Sequence, residues 1–197
     1  MVNLKRKVNT LLWHPDKVVI KYKRKIFRKL RREMQPISNE NYDRHWGYLS
    51  FKGKVVLDLG ADYGSTAYYF LKKGATKIVA VEGDPKLASK LRHNYRRNYS
   101  AVCIEKWLED GQGISNLIAQ FAPSIVKVDI EGEEKSLLSV DILKVKEWLV
   151  ETHSQQVHNT LVKFFLAKGF NVSVVNYGCS MGNPEIKVLV ATLKVLN

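Results

Sequence analysis

The chain has 197 residues, 45% of them hydrophobic and 26% charged, with a formal net charge of +13. These values fit one globular domain with an appendage and exclude wholesale disorder, a collagen-like repeat or a disulfide-dense scaffold. No run reaches the roughly 18 apolar residues of a membrane helix and no signal-peptide pattern opens the chain, so a cytoplasmic protein is expected. Cys103 and Cys179 stand outside any paired-cysteine motif, so free thiols are expected rather than a zinc site.

Residues 1–36 carry 12 Lys or Arg against Asp16 and Glu33, a surplus of ten, whereas the remainder has 20 basic and 17 acidic side chains. The basic character therefore belongs to an N-terminal arm, taken as residues 1–50, and not to the body, 51–197. Within Lys21–Met34, Tyr22, Ile26, Phe27, Leu30 and Met34 recur at helical spacing. Lys21, Lys23, Arg24, Lys25, Arg28, Lys29, Arg31 and Arg32 cover the rest of that helix. Two readings stand: a solvated helix packed on the body, or a surface for the phosphates of RNA or of an anionic membrane.

From Lys54 onward short apolar runs alternate with helical segments. Strands are expected at 55–60, 77–85 (a strand and its turn), 101–104, 124–132 and 147–154, with helices over 65–73, 85–97, 114–121, from about Glu133, and from about Ser154 to Gly169. The last two strands, 170–176 and 185–195, are joined by a glycine-containing loop without a helix and should pair antiparallel. The pattern predicts an α/β fold: a Rossmann-like, doubly wound, mostly parallel seven-stranded sheet with one reversed strand near the C-terminus.

In such a sheet the ligand crevice lies beyond the carboxyl ends of the strands, and polar residues gather at those ends here. Asp58, Gly60, Ala61 and Gly64 form the turn DLGADYG after the first strand, while Glu82, Gly83 and Asp84 follow the second. The glycines let the backbone turn sharply and approach a ligand, and a carboxylate at Glu82 can accept both hydroxyl hydrogens of a ribose. Asp129 and Glu131 end the fourth strand, and Glu151 and His153 the fifth. Lys127, in a central strand, needs an acid partner, which Asp58 or Asp129 can supply. Trp107 is placed to lie beside an adenine or to pack. His14, His45, His93 and His158 have no comparable context and read as structural or exposed. The Lys90, Arg92, Arg96, Arg97 helix reads as a solvated face, with an extension of the arm's basic surface as the alternative.

VVLDLGADYGS and VAVEGDP resemble the first and second motifs of the class I S-adenosylmethionine-dependent methyltransferases, from about Phe51 to the C-terminus. VKVDIEGEE, with Lys127, Asp129, Glu131, Gly132 and Glu134, is similar to the K-x-D-x-E-G-x-E signature of the FkbM-like methyltransferases. One departure is Asp62, where the first loop often has glycine or asparagine. The resemblance implies S-adenosylmethionine held by Asp58, Gly60, Ala61, Gly64, Glu82, Gly83 and Asp84. It also implies methyl transfer to a hydroxyl, with the FkbM likeness pointing to a carbohydrate or glycoconjugate, served by Asp129, Glu131 and His153. Asp129 and Glu131 could alternatively hold a divalent cation such as magnesium against a sugar diol. Two rival functions are an RNA methyltransferase that uses the arm to bind phosphate, and an inactive module that keeps the fold and binds nucleic acid or membrane.

Overall fold

A computed structural model describes residues 41–176 and 184–194. The chain divides into two compact units, Met1–Gln35 and Pro36–Asn197, and all described residues belong to the second. The basic helix expected over Lys21–Met34 lies outside the described residues, as does Cys179. Residues 41–50, counted with the arm on composition, fall within the body's unit: Trp46 is wholly buried there.

The elements in chain order are α1 (Tyr42–His45), β1 (Val55–Leu59), α2 (Ser65–Lys72), β2 (Lys77–Glu82), α3 (Pro85–Tyr95), β3 (Ala101–Glu105), α4 (Gly111–Phe121) and β4 (Ile125–Val128). Two 3-10 turns (Glu133–Ser139 and Ile142–Lys144) lead to β5 (Glu147–Thr152), α5 (Gln155–Ala167), β6 (Phe170–Val175) and β7 (Lys187–Leu193). The sheet order is β3-β2-β1-β4-β5-β7-β6. All neighbours pair parallel except β7, which runs against both β5 and β6. The order reverses between β1 and β4, so the crevice rule places a ligand at the tips of those two strands.

The central strands are apolar almost throughout because helices cover both faces of the sheet. On one face Leu57, Leu59, Val126, Val128, Trp148 and Val150 pack under α4 and α5. Alternation puts Asp58, Lys127 and Glu151 on the other face. Side-chain caps set the helix starts: Asp84 accepts the Lys86 and Leu87 amides, Asp110 the Gly113 amide, and Ser154 the Val157 amide. The Asp110 cap starts α4 at Gly111, before the expected Ile114, despite two helix-poor glycines.

Two expectations fail in detail. The fourth strand stops at Val128 instead of running to Gly132, because Glu131 and Gly132 turn with φ of 52° and 109°. The crossover after it forms 3-10 turns instead of an α-helix. There the Ser139 hydroxyl donates back to the Ser136 carbonyl, a side-chain bond that competes with helical pairing.

Candidate active site

The two strand tips at the switch point touch through Gly60. A Cβ there would lie 1.7 Å from the Asp129 carbonyl oxygen, and φ is +73°, so only glycine fits. At Gly64, with φ +99°, a Cβ would meet the Tyr95 ring at 2.3 Å. Both glycines are thus required by close approach of protein to protein. The Gly60 and Ala61 amides both donate to the Val81 carbonyl, which fastens the turn to the end of β2. Ala61 and Gly64 are buried away from the crevice. Helix α2 then begins with Ser65 and Thr66 at the crevice wall and no side-chain cap on its amides. That leaves the positive end of its dipole facing the cavity.

Glu82 is oriented by two backbone amides: Oε2 accepts from Asp62 and Oε1 from Asp84, each at 2.8 Å. Each carboxylate oxygen keeps a second acceptor site, so the pair of oxygens can still receive a diol. Asp62 bends the loop with φ 50°, a left-handed conformation that Asp tolerates better than most residues. Gly83 lies beneath Trp107, whose ring would be 2.3 Å from an added Cβ. Trp107 is 63% exposed and lines the same cavity, at the Glu82 end. Asp84 is occupied as the cap of α3 and does not line it.

Below the floor, Asp58 and Lys127 face one another across β1 and β4 and are wholly buried. Lys127 Nζ is 3.1 Å from Asp58 Oδ1 and 3.5 Å from Asp129 Oδ2, and it donates to the Gly60 carbonyl at 2.7 Å. Thr66 donates its hydroxyl to Asp58. Burial pushes the lysine down, but the Asp58 and Asp129 carboxylates outweigh it and hold the ammonium well above its ordinary range. Asp58 is therefore a structural counter-ion behind the cofactor turn, with Lys127 bracing both strand tips.

The β4 and β5 tips carry the titratable cluster. Glu134, wholly buried, accepts on Oε1 from the Gly132 amide at 2.9 Å and binds His153 Nδ1 at 2.9 Å. The other ring nitrogen, Nε2, stands 3.8 Å from Asp129, 3.6 Å from Glu131 and 3.6 Å from Glu151. The Glu134 hydrogen bond, against the cost of burial and helped by the neighbouring carboxylates, lifts His153 to about 9, so it is a cation at neutral pH. Glu131 does not share the Lys127 and Asp129 strand face as alternation predicted. It reaches the cluster from the left-handed turn, with its side chain 86% exposed. Glu151 is tied on its other oxygen to His45 Nε2 at 2.6 Å, and the His45 ring stacks on Trp46 with centroids 4.0 Å apart.

A cavity of about 380 Å³ joins these parts, with Glu82, Gly83 and Trp107 at one end and Asp129, Glu131 and Glu151 at the other. Gly60 and Lys127 also line it, and Tyr42, His45 and Trp46 add an aromatic wall. His153 stands behind the three lining carboxylates and is not itself part of the wall. Sequence reasoning missed His45, which contacts a strand 106 positions away, and the Glu134 anchor, which was visible only as a letter in the FkbM-like signature. His158 is buried on the Thr152 hydroxyl, and His93 is exposed.

Asp129, Glu131 and His153 each offer one donor atom within 4.8 Å of the others, so these residues fit a divalent cation. An imidazole held through its second nitrogen by a carboxylate is the usual orientation of a metal-binding histidine. One nitrogen among carboxylates suits manganese or zinc better than magnesium, which prefers oxygen ligands.

The fold is that of the class I S-adenosylmethionine-dependent methyltransferases. Solved structures with this fold include precorrin-6y C5,15-methyltransferase from Geobacter metallireducens, 16% identical, TM-score 0.55, covering 73% of this chain and 81% of that one. Another is Aeropyrum pernix fibrillarin with natively bound S-adenosyl-L-methionine, 16% identical, TM-score 0.59, covering 76% and 71%. No family model matches the chain. Among curated proteins it is 32% identical over 105 residues to uncharacterized protein 158B of Sulfolobus islandicus rod-shaped virus 1, covering 53% of this chain and 64% of that one. It is 32% identical over 113 residues to uncharacterized protein 65 of Sulfolobus islandicus filamentous virus, covering 57% and 67%, and it belongs to the family of that viral protein. It is also 30% identical over 96 residues to ribosomal protein L11 methyltransferase of Enterobacter sp., a match over 43% of this chain but only 33% of that enzyme. Among the described residues no helix is long and apolar enough to cross a membrane.

Proposed function

We propose that the protein transfers a methyl group from S-adenosylmethionine to a hydroxyl oxygen. The observation that carries this reading is the single cavity with Glu82 at one end and Asp129, Glu131 and Glu151 at the other. Glu82 accepts the ribose hydroxyls, Trp107 covers the adenine, and the uncapped start of α2 receives the methionine carboxylate. The likeness to ribosomal protein L11 methyltransferase supports methyl transfer in general. The FkbM-like run from Lys127 to Glu134 directs the acceptor toward a sugar hydroxyl.

The displacement is in-line at the sulfonium-bound carbon, so alignment is the chief contribution, worth as much as about 7 to 11 kcal/mol. Asp129 accepts the hydroxyl proton, and Glu131 and Glu151 take hydrogen bonds from the acceptor's neighbouring hydroxyls. His153, read as a positioning residue, keeps those three carboxylates together as an imidazolium held by Glu134. Where a divalent cation binds, Asp129, Glu131 and the Nε2 of His153, there without its proton, would hold it, and it would supply Lewis acidity toward the hydroxyl.

The test is calorimetry with S-adenosylmethionine, followed by incubation of the protein with methyl-labelled cofactor and fractionated glycans, RNA and protein. Micromolar binding and label in glycan hydroxyls are expected. No cofactor binding would remove the methyltransferase reading, and label confined to nitrogen would remove the hydroxyl assignment.

A further inference from the structure

Trp46 follows α1, borders the cavity and is wholly buried. The His45 ring stacks on the indole with centroids 4.0 Å apart, and the Lys127 ammonium stands over it, 5.2 Å from the ring centroid. With its faces occupied, the indole meets the cavity through its edge, whose one polar atom is Nε1. That N–H is buried and has no hydrogen-bond partner.

A buried indole N–H ordinarily finds an acceptor, because leaving it unpaired forfeits the hydrogen bond it made with water in the unfolded chain. Trp148, equally buried, obeys the rule: its Nε1 donates to the Ile142 and Val145 carbonyls. Trp148 is satisfied by the fold alone, whereas Trp46 needs an acceptor from outside it. The place of Trp46 is also fixed from two sides. The Tyr42 ring lies 5.6 Å from that of Tyr69 on α2, and His45 Nε2 is 2.6 Å from Glu151 at the β5 tip.

The group that satisfies Trp46 must accept a hydrogen bond. Asp129, Glu131 and Glu151 at the same end of the cavity call for donors and do not select such a group. The start of α2 does: Ser65 and Thr66 line the cavity, no side chain caps the helix, and its dipole there favours an anion. The only anionic group of S-adenosylmethionine is its methionine carboxylate, to which an N–H makes a charge-assisted hydrogen bond.

We infer that Trp46 is a cofactor-binding residue whose Nε1–H donates to the methionine carboxylate of S-adenosylmethionine, beside the start of α2. The inference rests on the S-adenosylmethionine reading and adds to it a donor from outside the strand-tip motifs.

The experiment is calorimetry of the full chain with S-adenosylmethionine and with decarboxylated S-adenosylmethionine, which lacks only the carboxylate. The wild type is compared with a protein carrying the benzothiophene isostere of tryptophan at position 46, in which sulfur replaces the N–H and the shape is kept. Loss of a hydrogen bond to a charged group should weaken S-adenosylmethionine about tenfold and leave the decarboxylated form within about twofold. Trp46→Phe, which also trims the ring, should again weaken the first ligand more than the second. In nitrogen-labelled wild type, the indole N–H resonance that is missing from Trp46→Phe should move downfield with S-adenosylmethionine and stay in place with the decarboxylated form. Thermal melts show that each variant is folded. Equal weakening of both ligands in the isostere would make Trp46 a wall residue only, and no weakening of either would leave its N–H to a buried water; each overturns the inference. A wild type that binds neither ligand would overturn the methyltransferase reading itself.

Discussion

At the β1–β2 end of the crevice, Glu82 is held by the Asp62 and Asp84 amides and Gly60 and Ala61 by the Val81 carbonyl, so geometry is fixed almost wholly by backbone. At the β4–β5 end, Asp129, Glu131, Glu134, Glu151 and His153 hold one another, and the arrangement depends on where the protons are. A cofactor that never changes suits the first construction. Under the proposed transfer to a hydroxyl, an acceptor that must give up a proton suits the second. The difference implies that the cofactor end breaks by steric substitution and the acceptor end by titration.

The largest effects are expected where the two ends share a part. Gly60→Ala would drive a Cβ into the Asp129 carbonyl at a left-handed position, costing about 3 kcal/mol or more of stability. Lys127→Met would leave Asp58 buried without its cation, and removing one partner of such a pair typically costs about 3 to 5 kcal/mol. Urea denaturation checks both. A Lys127→Met protein as stable as the wild type would show that the lysine does not brace the strand tips.

Glu82→Ala acts at one end only. Loss of charge-assisted hydrogen bonds to the ribose should weaken S-adenosylmethionine binding by about tenfold or more while leaving the melting temperature nearly unchanged. Asp129→Asn should do the reverse, lowering turnover far more than cofactor affinity. If the two variants have the same profile, the cavity does not have separate cofactor and acceptor ends.

The turn after β1 and the acid that ends β2 were legible in the sequence because their signals are local, although of the seven residues expected at a cofactor only Gly60, Glu82 and Gly83 line the crevice. The seven strands and the reversed pairing of β7 were equally legible from apolar runs and from the missing helix before it. The acceptor end was legible only as composition. That Asp129 and Glu131 belong near the strand tip followed from sequence. That His153 is gripped by Glu134, and Glu151 by His45, depends on contacts 19 and 106 positions apart. Residues 41–50 read by composition as part of the arm, because the Asn41-capped helix and the docking of its His45 on β5 are tertiary facts.

Titration separates the two ends next. His153 is raised above its unfolded value of 6.5 to about 9, so its stabilising contribution is complete below 6.5 and is lost as pH rises through about 9. Stability and turnover should both decline over that window, while cofactor affinity should not. Glu134→Gln removes the contact that lifts His153 most, so both declines should move to lower pH. A pH–rate profile and melts at matched pH values check this. Sustained turnover above pH 9 on adding manganese, with loss of the effect in Glu131→Gln, would favour the cation reading of the same cluster.

The smallest effect is expected at the rim, where Gly83 offers a direct contrast with Gly60. An added Cβ at Gly83 meets the Trp107 ring at 2.3 Å, still a clash though less close than the 1.7 Å at Gly60, and the obstacle is an exposed side chain and not the Asp129 carbonyl. Gly83 also has no positive φ, so alanine carries no backbone strain there. The ring can swing outward at little cost. Gly83→Ala should therefore fold with wild-type stability, shift the Trp107 environment, and weaken S-adenosylmethionine by only a few-fold, roughly 1 kcal/mol for a displaced stacking contact. Tryptophan fluorescence in a Trp13→Phe background, where Trp107 is the exposed reporter among the described residues, read with calorimetry, checks it. A loss of affinity as large as that of Glu82→Ala would mean that Trp107 is fixed by the fold and is a principal part of the cofactor site.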